Sequence, residues 1–263
     1  MEKIFDRCGI TLYRGDCMDY LQAAPDRAFS LAIVDPPYGD GNGTNFAGRF
    51  GQRFEKSKHA INGQRNTRFN RRERAYFANA KVLPYAKKKT EIGWDTAPPP
   101  EYFAELFRVS ERQIVWGGNY FGLPPARGFA VWDKLVPDAV SFASAEYAWL
   151  SWPVNARIFR GAPVQYHNSH GEKCRRFHPP QKPEALYRWL LRLWGRAGDV
   201  VLDTHAGSCS SQVACYQMGF PATGIELDPE YCAKAVERLE VEMAQPRLID
   251  LSERREINGE LSF

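Results

Sequence analysis

The chain has 263 residues, 44% hydrophobic and 25% charged, with a formal net charge of +4. This is ordinary globular composition, with enough length for one large α/β domain or two small ones. No apolar run approaches bilayer-spanning length, and Met1–Asp6 carries acids and no apolar core of signal-peptide size, so a membrane span is excluded and a cytoplasmic protein is expected. Six cysteines lie scattered, none as Cys-x-x-Cys, which fits free thiols in a reducing compartment.

In chain order, Ile10–Tyr13 alternates as a strand and runs into Gly15-Asp16, and Met18–Ala24 reads as a short helix. Leu31–Val34 is a short apolar run, hence a buried strand, and it stops at Asp35-Pro36-Pro37-Tyr38. The two prolines fix φ and remove two backbone donors, so this turn is stiff and its carbonyls face outward. A carboxylate, a free carbonyl and an aromatic ring on one rigid turn suit a flat base with an exocyclic amino group. A bare Asp-Pro-Pro-Tyr can also be an ordinary proline turn with a surface acid, so the motif needs support from the rest of the chain.

The net charge hides an asymmetry. Between Arg49 and Lys89 thirteen Lys or Arg stand against two Glu, so this segment carries +11 and the rest of the chain −7. Phe and Tyr are interleaved with Arg49, Arg53, Arg65, Arg68, Arg71, Arg72, Arg74, Lys87 and Lys88. A basic arm of this kind on an acidic body points to a polyanion, with phosphate contacts and stacking as the means of grip. The bland alternative is a solvated charge run. Residues 41–93 are therefore set apart as a basic insertion in a single domain covering 1–263.

Glu101–Ser110 reads as a helix with Phe103, Leu106 and Phe107 on one face. Gln113–Trp116, Phe129–Trp132 and Ala145–Ser151 read as strands, and Arg160–Arg176 as a loop. Glu184–Trp194 is a helix with Leu186, Trp189, Leu190 and Leu193 toward the core. Val200–Leu202 is a buried strand, Ser210–Met218 a helix ending at Gly219, and Ala222–Ile225 a strand. Glu230–Ala244 is a helix with Cys232, Val236, Leu239 and Met243 in line, and 245–263 is a polar tail. Strands alternating with helices predict a doubly wound α/β fold with a mostly parallel sheet of these seven strands.

The segment Val200–Ser211 is strand, small-residue loop and helix start. Small residues let a ligand approach the backbone, and the helix N-terminus supplies unpaired donors. The next strand ends in Glu226, where nucleotide-binding folds hold a ribose diol. The loop lacks Gly-x-Gly-x-x-Gly and a Walker lysine, so an adenosine without a diphosphate fits better. The bland alternative is a plain strand-to-helix turn.

Together these residues resemble the amino-group DNA methyltransferases that use S-adenosylmethionine. Asp-Pro-Pro-Tyr precedes the cofactor loop, as in the circularly permuted β group, and His178-Pro179-Pro180-Gln181-Lys182-Pro183 is similar to the motif before the cofactor strand there. Trp116–Phe121 and Trp132-Asp133-Lys134 are similar to phage and prophage members. The cofactor loop departs from the family's Asp-Pro-Phe-x-Gly-Ser-Gly, with His205 for Phe and Cys209 for the second Gly.

The resemblance implies a class I methyltransferase fold and methylation of the N6 amino group of adenine in double-stranded DNA, with the target base flipped. Asp35, Pro36, Pro37 and Tyr38 would be catalytic. Asp16, Lys182, Asp203, His205, Gly207, Ser208, Ser210 and Glu226 would hold S-adenosylmethionine, Lys182 near its carboxylate. Relatives are often homodimers and often serve restriction–modification. The alternatives are cytosine N4 methylation and a non-catalytic DNA-binding relative. His167, His170, Cys174 and His178 have zinc-compatible spacing but read as a polar loop, so no metal is expected.

Overall fold

The structure is a computed structural model, and it describes residues 1–38, 96–136, 143–162 and 181–244. In chain order the elements are β1 (Glu2–Arg7), β2 (Ile10–Arg14), α1 (Cys17–Ala23), β3 (Leu31–Val34), α2 (Pro100–Val109) and β4 (Gln113–Trp116). A 3-10 turn at Gly118–Tyr120 precedes β5 (Phe129–Asp133), β6 (Ala145–Leu150) and β7 (Arg157–Arg160). Then come α3 (Glu184–Trp194), β8 (Val201–Asp203), α4 (Ser210–Met218), β9 (Ala222–Glu226) and α5 (Pro229–Ala244).

The chain divides into two units, the first made of 1–35, 104–115 and 163–263, the second of 36–103 and 116–162. In the first unit the strands run β1-β2-β9-β8-β3-β4. Only β1 is antiparallel to its neighbour; β2, β9, β8, β3 and β4 are parallel throughout. The parallel strands are apolar because a sheet covered by crossover helices meets water on neither face. Ile10, Leu12, Leu31, Ile33, Val34, Ile114, Val115, Leu202 and Ile225 are all at most 1% exposed.

The connection β8–α4–β9 steps one way across the sheet, and β3–α2–β4 steps the other way. With right-handed crossovers the two helices then lie on opposite faces. The order reverses between β8 and β3, which is the switch point where such folds place ligands. In the second unit β5 pairs antiparallel with β6 and parallel with β7.

All seven expected strands are present, and two more appear among the described residues. β1 buries only Phe5, and β7 has the pattern exposed, exposed, half-buried, exposed, so neither shows an apolar run. Polar, charged side chains are what an edge strand needs to avoid pairing with other chains. Within α3 the expected face is rotated: Tyr187 and Leu191 join Leu186 and Leu190 in the core, Trp189 is half-buried and Leu193 is 40% exposed. In α5 the buried line is Cys232, Ala235, Leu239 and Glu242, with Val236 and Met243 half-buried.

Candidate active site

Four carboxylates stand at the C-terminal ends of four successive parallel strands of the first unit. Asp16 follows β2, Glu226 closes β9, Asp203 closes β8 and Asp35 follows β3. At about 4.8 Å per strand the row spans roughly 14 Å. The parallel register Leu31↔Val201 and Ala32↔Leu202 brings Asp35 and Asp203 onto adjacent strand ends. Asp203 feels its neighbour directly: burial pushes its carboxyl up to about 6, and the Asp35 charge adds to the rise.

Asp203 is 3% exposed, and each of its oxygens accepts a hydrogen bond from the loop that follows. Oδ1 accepts the His205 backbone N–H at 3.1 Å, and Oδ2 accepts the Ser211 hydroxyl. The loop is thus pinned at both ends to the strand that delivers it. Glu226 pins its middle, with Oε2 accepting the Gly207 N–H at 2.8 Å and Oε1 the Asp228 N–H at 2.8 Å. Burial raises the Glu226 carboxyl, and these two N–H donors pull it back. Asp16 caps α1 through Met18 N at 2.9 Å, and the adjacent Gly15 N–H binds the Glu226 carbonyl at 3.0 Å.

The His205 ring lies beside Thr204, with Nδ1 2.9 Å from the hydroxyl. Burial lowers its pKa to about 4 against an opposing pull from Asp16, so the ring is neutral at pH 7. It offers a flat surface rather than a charge. Cys209 sits at φ 59, the left-handed region where the family pattern has Gly, and is fully buried. Its Cβ therefore turns into the protein, and burial raises its thiol well above the ordinary value. Ser208 and Ser210 are buried with hydroxyls 3.1 Å apart.

Behind this loop lies a network with no signature in the sequence. Arg238 of α5 donates to the Ser208 carbonyl at 2.6 Å, to Ser210 Oγ at 3.1 Å and to Glu184 Oε1 at 2.6 Å. Glu184 opens α3, and its side chain is 3% exposed. A five-donor guanidinium can hold a loop carbonyl, a hydroxyl and a carboxylate at once.

Lys182, expected beside a cofactor carboxylate, is paired with Asp35. Its Nζ is 2.5 Å from Asp35 Oδ2, and the two side chains are 3% and 18% exposed. In the second unit Tyr38 stacks on Tyr120 with ring centroids 4.8 Å apart and planes 22° apart, and Phe121 meets it edge-on at 6.3 Å. Tyr120 is 58% exposed and was not among the expected residues. Pro36 is buried and Pro37 half-buried.

The nine DNA-binding candidates from Arg49 to Lys88 lie outside the described residues, as do His167, His170, Cys174 and His178. Among the described residues no cluster of His, Cys, Asp or Glu could hold a metal ion, and no helix is long and apolar enough to cross a membrane.

Compared with known proteins, residues 129–237 match the DNA methylase family model for N6 and N4 enzymes. The chain is 38% identical over 76 residues to the type II methyltransferase M.HpaI of Haemophilus parainfluenzae, covering 29% of this chain and 24% of that protein. It is 39% identical over 64 residues to the DNA adenine methyltransferase YhdJ of Escherichia coli, covering 24% of this chain and 22% of that one. These matches span less than a quarter of the length of either relative. The PvuII DNA methyltransferase, described as cytosine-N4-specific, has a similar fold at a TM-score of 0.52 and 14% identity, covering 94% of this chain and 90% of that one. The fold is that of the class I methyltransferases.

Proposed function

We propose, from the match of residues 129–237 to the DNA methylase family model, that the protein transfers a methyl group from S-adenosylmethionine to the N6 amino group of adenine in double-stranded DNA. The observation that carries this reading is the row of strand-end carboxylates with Asp35 and Asp203 side by side at the switch point. An acidic cradle suits a ligand with a sulfonium, an ammonium and a ribose diol. The backbone donors and small residues of 204–208 leave no provision for a diphosphate. Glu226 would take the ribose hydroxyls, Asp16 the adenine, and Asp203 with Gly207 the amino-acid end, while the neutral His205 ring packs alongside.

When bound, S-adenosylmethionine supplies an electrophilic methyl on sulfur. The task left to the protein is to make a poor nucleophile attack it. The lone pair of an exocyclic amine is delocalised into its ring. Asp35 and the Pro36 carbonyl would accept its two N–H hydrogens, favouring a pyramidal nitrogen with a localised pair. Tyr38 would stack on the base, which must leave the duplex to be reached. The basic segment 49–89 would hold the phosphates of the duplex. Asp at the head of the Pro-Pro-Tyr motif favours adenine in this reading. Cytosine N4 is the second reading, favoured by the fold shared with the PvuII enzyme. Nucleoside analysis of DNA treated with the protein and labelled cofactor separates the two, since N6-methyladenine and N4-methylcytosine differ in mass and retention.

A further inference from the structure

The Lys182–Asp35 pair points to a role that the family motif does not state. Lys182 stands immediately before Pro183, the residue that caps α3, and reaches across a separation of 147 residues to Asp35. Its side chain is 3% exposed, whereas that of Asp35 is 18% exposed. The ammonium is thus more deeply buried than the carboxylate it holds. An ammonium so buried and already bonded at 2.5 Å is poorly placed to serve a carboxylate arriving from solvent.

Stability alone does not account for such a pair. Desolvating two charges roughly cancels their attraction, so a buried ion pair gives little net stabilisation compared with apolar residues of the same volume. What it does supply is a fixed position. Asp35 ends a β-strand with Asp203 on the next strand, and two carboxylates this close repel each other. The Lys182 ammonium offsets that repulsion, and its loss would let Asp35 shift from the orientation an amine needs. The cost of a misplaced acceptor in methyl transfer is large, because catalysis here depends on geometry.

We propose that Lys182 is the positioning residue for Asp35, orienting its carboxylate toward the target amine, rather than a ligand of the cofactor. This rests on the reading of Asp35 as the amine acceptor. The test uses the full chain as Lys182→Met, Lys182→Arg, Asp35→Asn and the Asp35→Asn/Lys182→Met double variant. Three quantities are read: the dissociation constant of S-adenosylmethionine, the single-turnover methyl-transfer rate at saturating cofactor and DNA, and the melting temperature.

The expected result is a rate at least 50-fold slower for Lys182→Met, a cofactor dissociation constant within threefold of wild type, and partial recovery in Lys182→Arg. In the Asp35→Asn background the Lys182→Met change costs little further rate, and the double variant melts no lower than Lys182→Met alone. A cofactor affinity that drops tenfold or more with an unchanged rate at saturation overturns the proposal and returns Lys182 to the cofactor. Additive losses in melting temperature overturn the pairing itself. If the wild-type chain transfers no methyl group to DNA, coupled melting temperatures still support the pair, and the failure then lies with the role given to Asp35.

Discussion

Asp35 and Asp203 end neighbouring parallel strands on either side of the point where the strand order reverses. One belongs to the turn read as catalytic, the other to the loop read as the cofactor cradle. Burial pushes the Asp203 carboxyl up to about 6, and the neighbouring Asp35 charge adds to the rise.

That shift sets a pH dependence. Asp203 titrates near 6 in the folded chain and near 3.8 when unfolded, so between about pH 4 and 6 the folded state holds the extra proton. Stability from this group is complete below pH 4 and is lost as pH rises through 6, by roughly 3 kcal/mol. Asp203→Asn keeps the neutral form at all pH and should melt higher than wild type at pH 7.5, with the difference vanishing near pH 4. The same variant should bind S-adenosylmethionine at least tenfold more weakly, and wild-type affinity should fall below pH 6. Melting curves and titrations at pH 4.5, 6 and 7.5 check both.

Much of this arrangement is legible in the amino-acid order. Leu31–Val34 and Val200–Leu202 are unbroken apolar runs, and such runs announce strands buried on both faces. The acids that follow them mark the strand ends, and alternating helices imply parallel neighbours. β1 and β7 are not legible because an edge strand shows charge instead of a period. The Lys182–Asp35 pair is hidden for another reason. Nothing local links residues 147 positions apart; only the sheet order does. Arg238 is one of two cations on an amphipathic helix, and its contacts with Ser208 and Glu184 exist only once α5 has packed.

Gly117 is predicted to tolerate no side chain. It lies at φ +66, and a Cβ there would stand 2.1 Å from Cε1 of Tyr38. Alanine would meet a left-handed penalty of about 1 kcal/mol and displace the Tyr38 ring as well. The expected outcome for Gly117→Ala is a small drop in melting temperature and a fall of tenfold or more in methyl transfer, with cofactor binding retained. Parallel titration and activity assays check this split.

Arg238→Met should leave Glu184 buried without this guanidinium and free the Ser208 carbonyl from its tie. Removing one partner of a buried pair costs about 3 kcal/mol. Denaturant unfolding should report that loss, and cofactor affinity should fall because the 207–210 backbone is less well held.

Cys209→Gly restores the residue usual at that place in the family and relieves a left-handed side chain, but removes a buried thiol. The two effects are each about 1 kcal/mol and opposite in sign. Stability should change little. Because the Cys209 Cβ faces inward, cofactor affinity should stay within threefold of wild type, as isothermal titration would show.

The measurement that bears most directly on the account is methyl transfer by wild type and Asp35→Ala, using DNA, labelled S-adenosylmethionine and nucleoside mass analysis. The account predicts labelled N6-methyladenine from wild type, and at least a hundredfold less from Asp35→Ala while that variant still binds cofactor. Transfer by Asp35→Ala at a rate near that of wild type would contradict it.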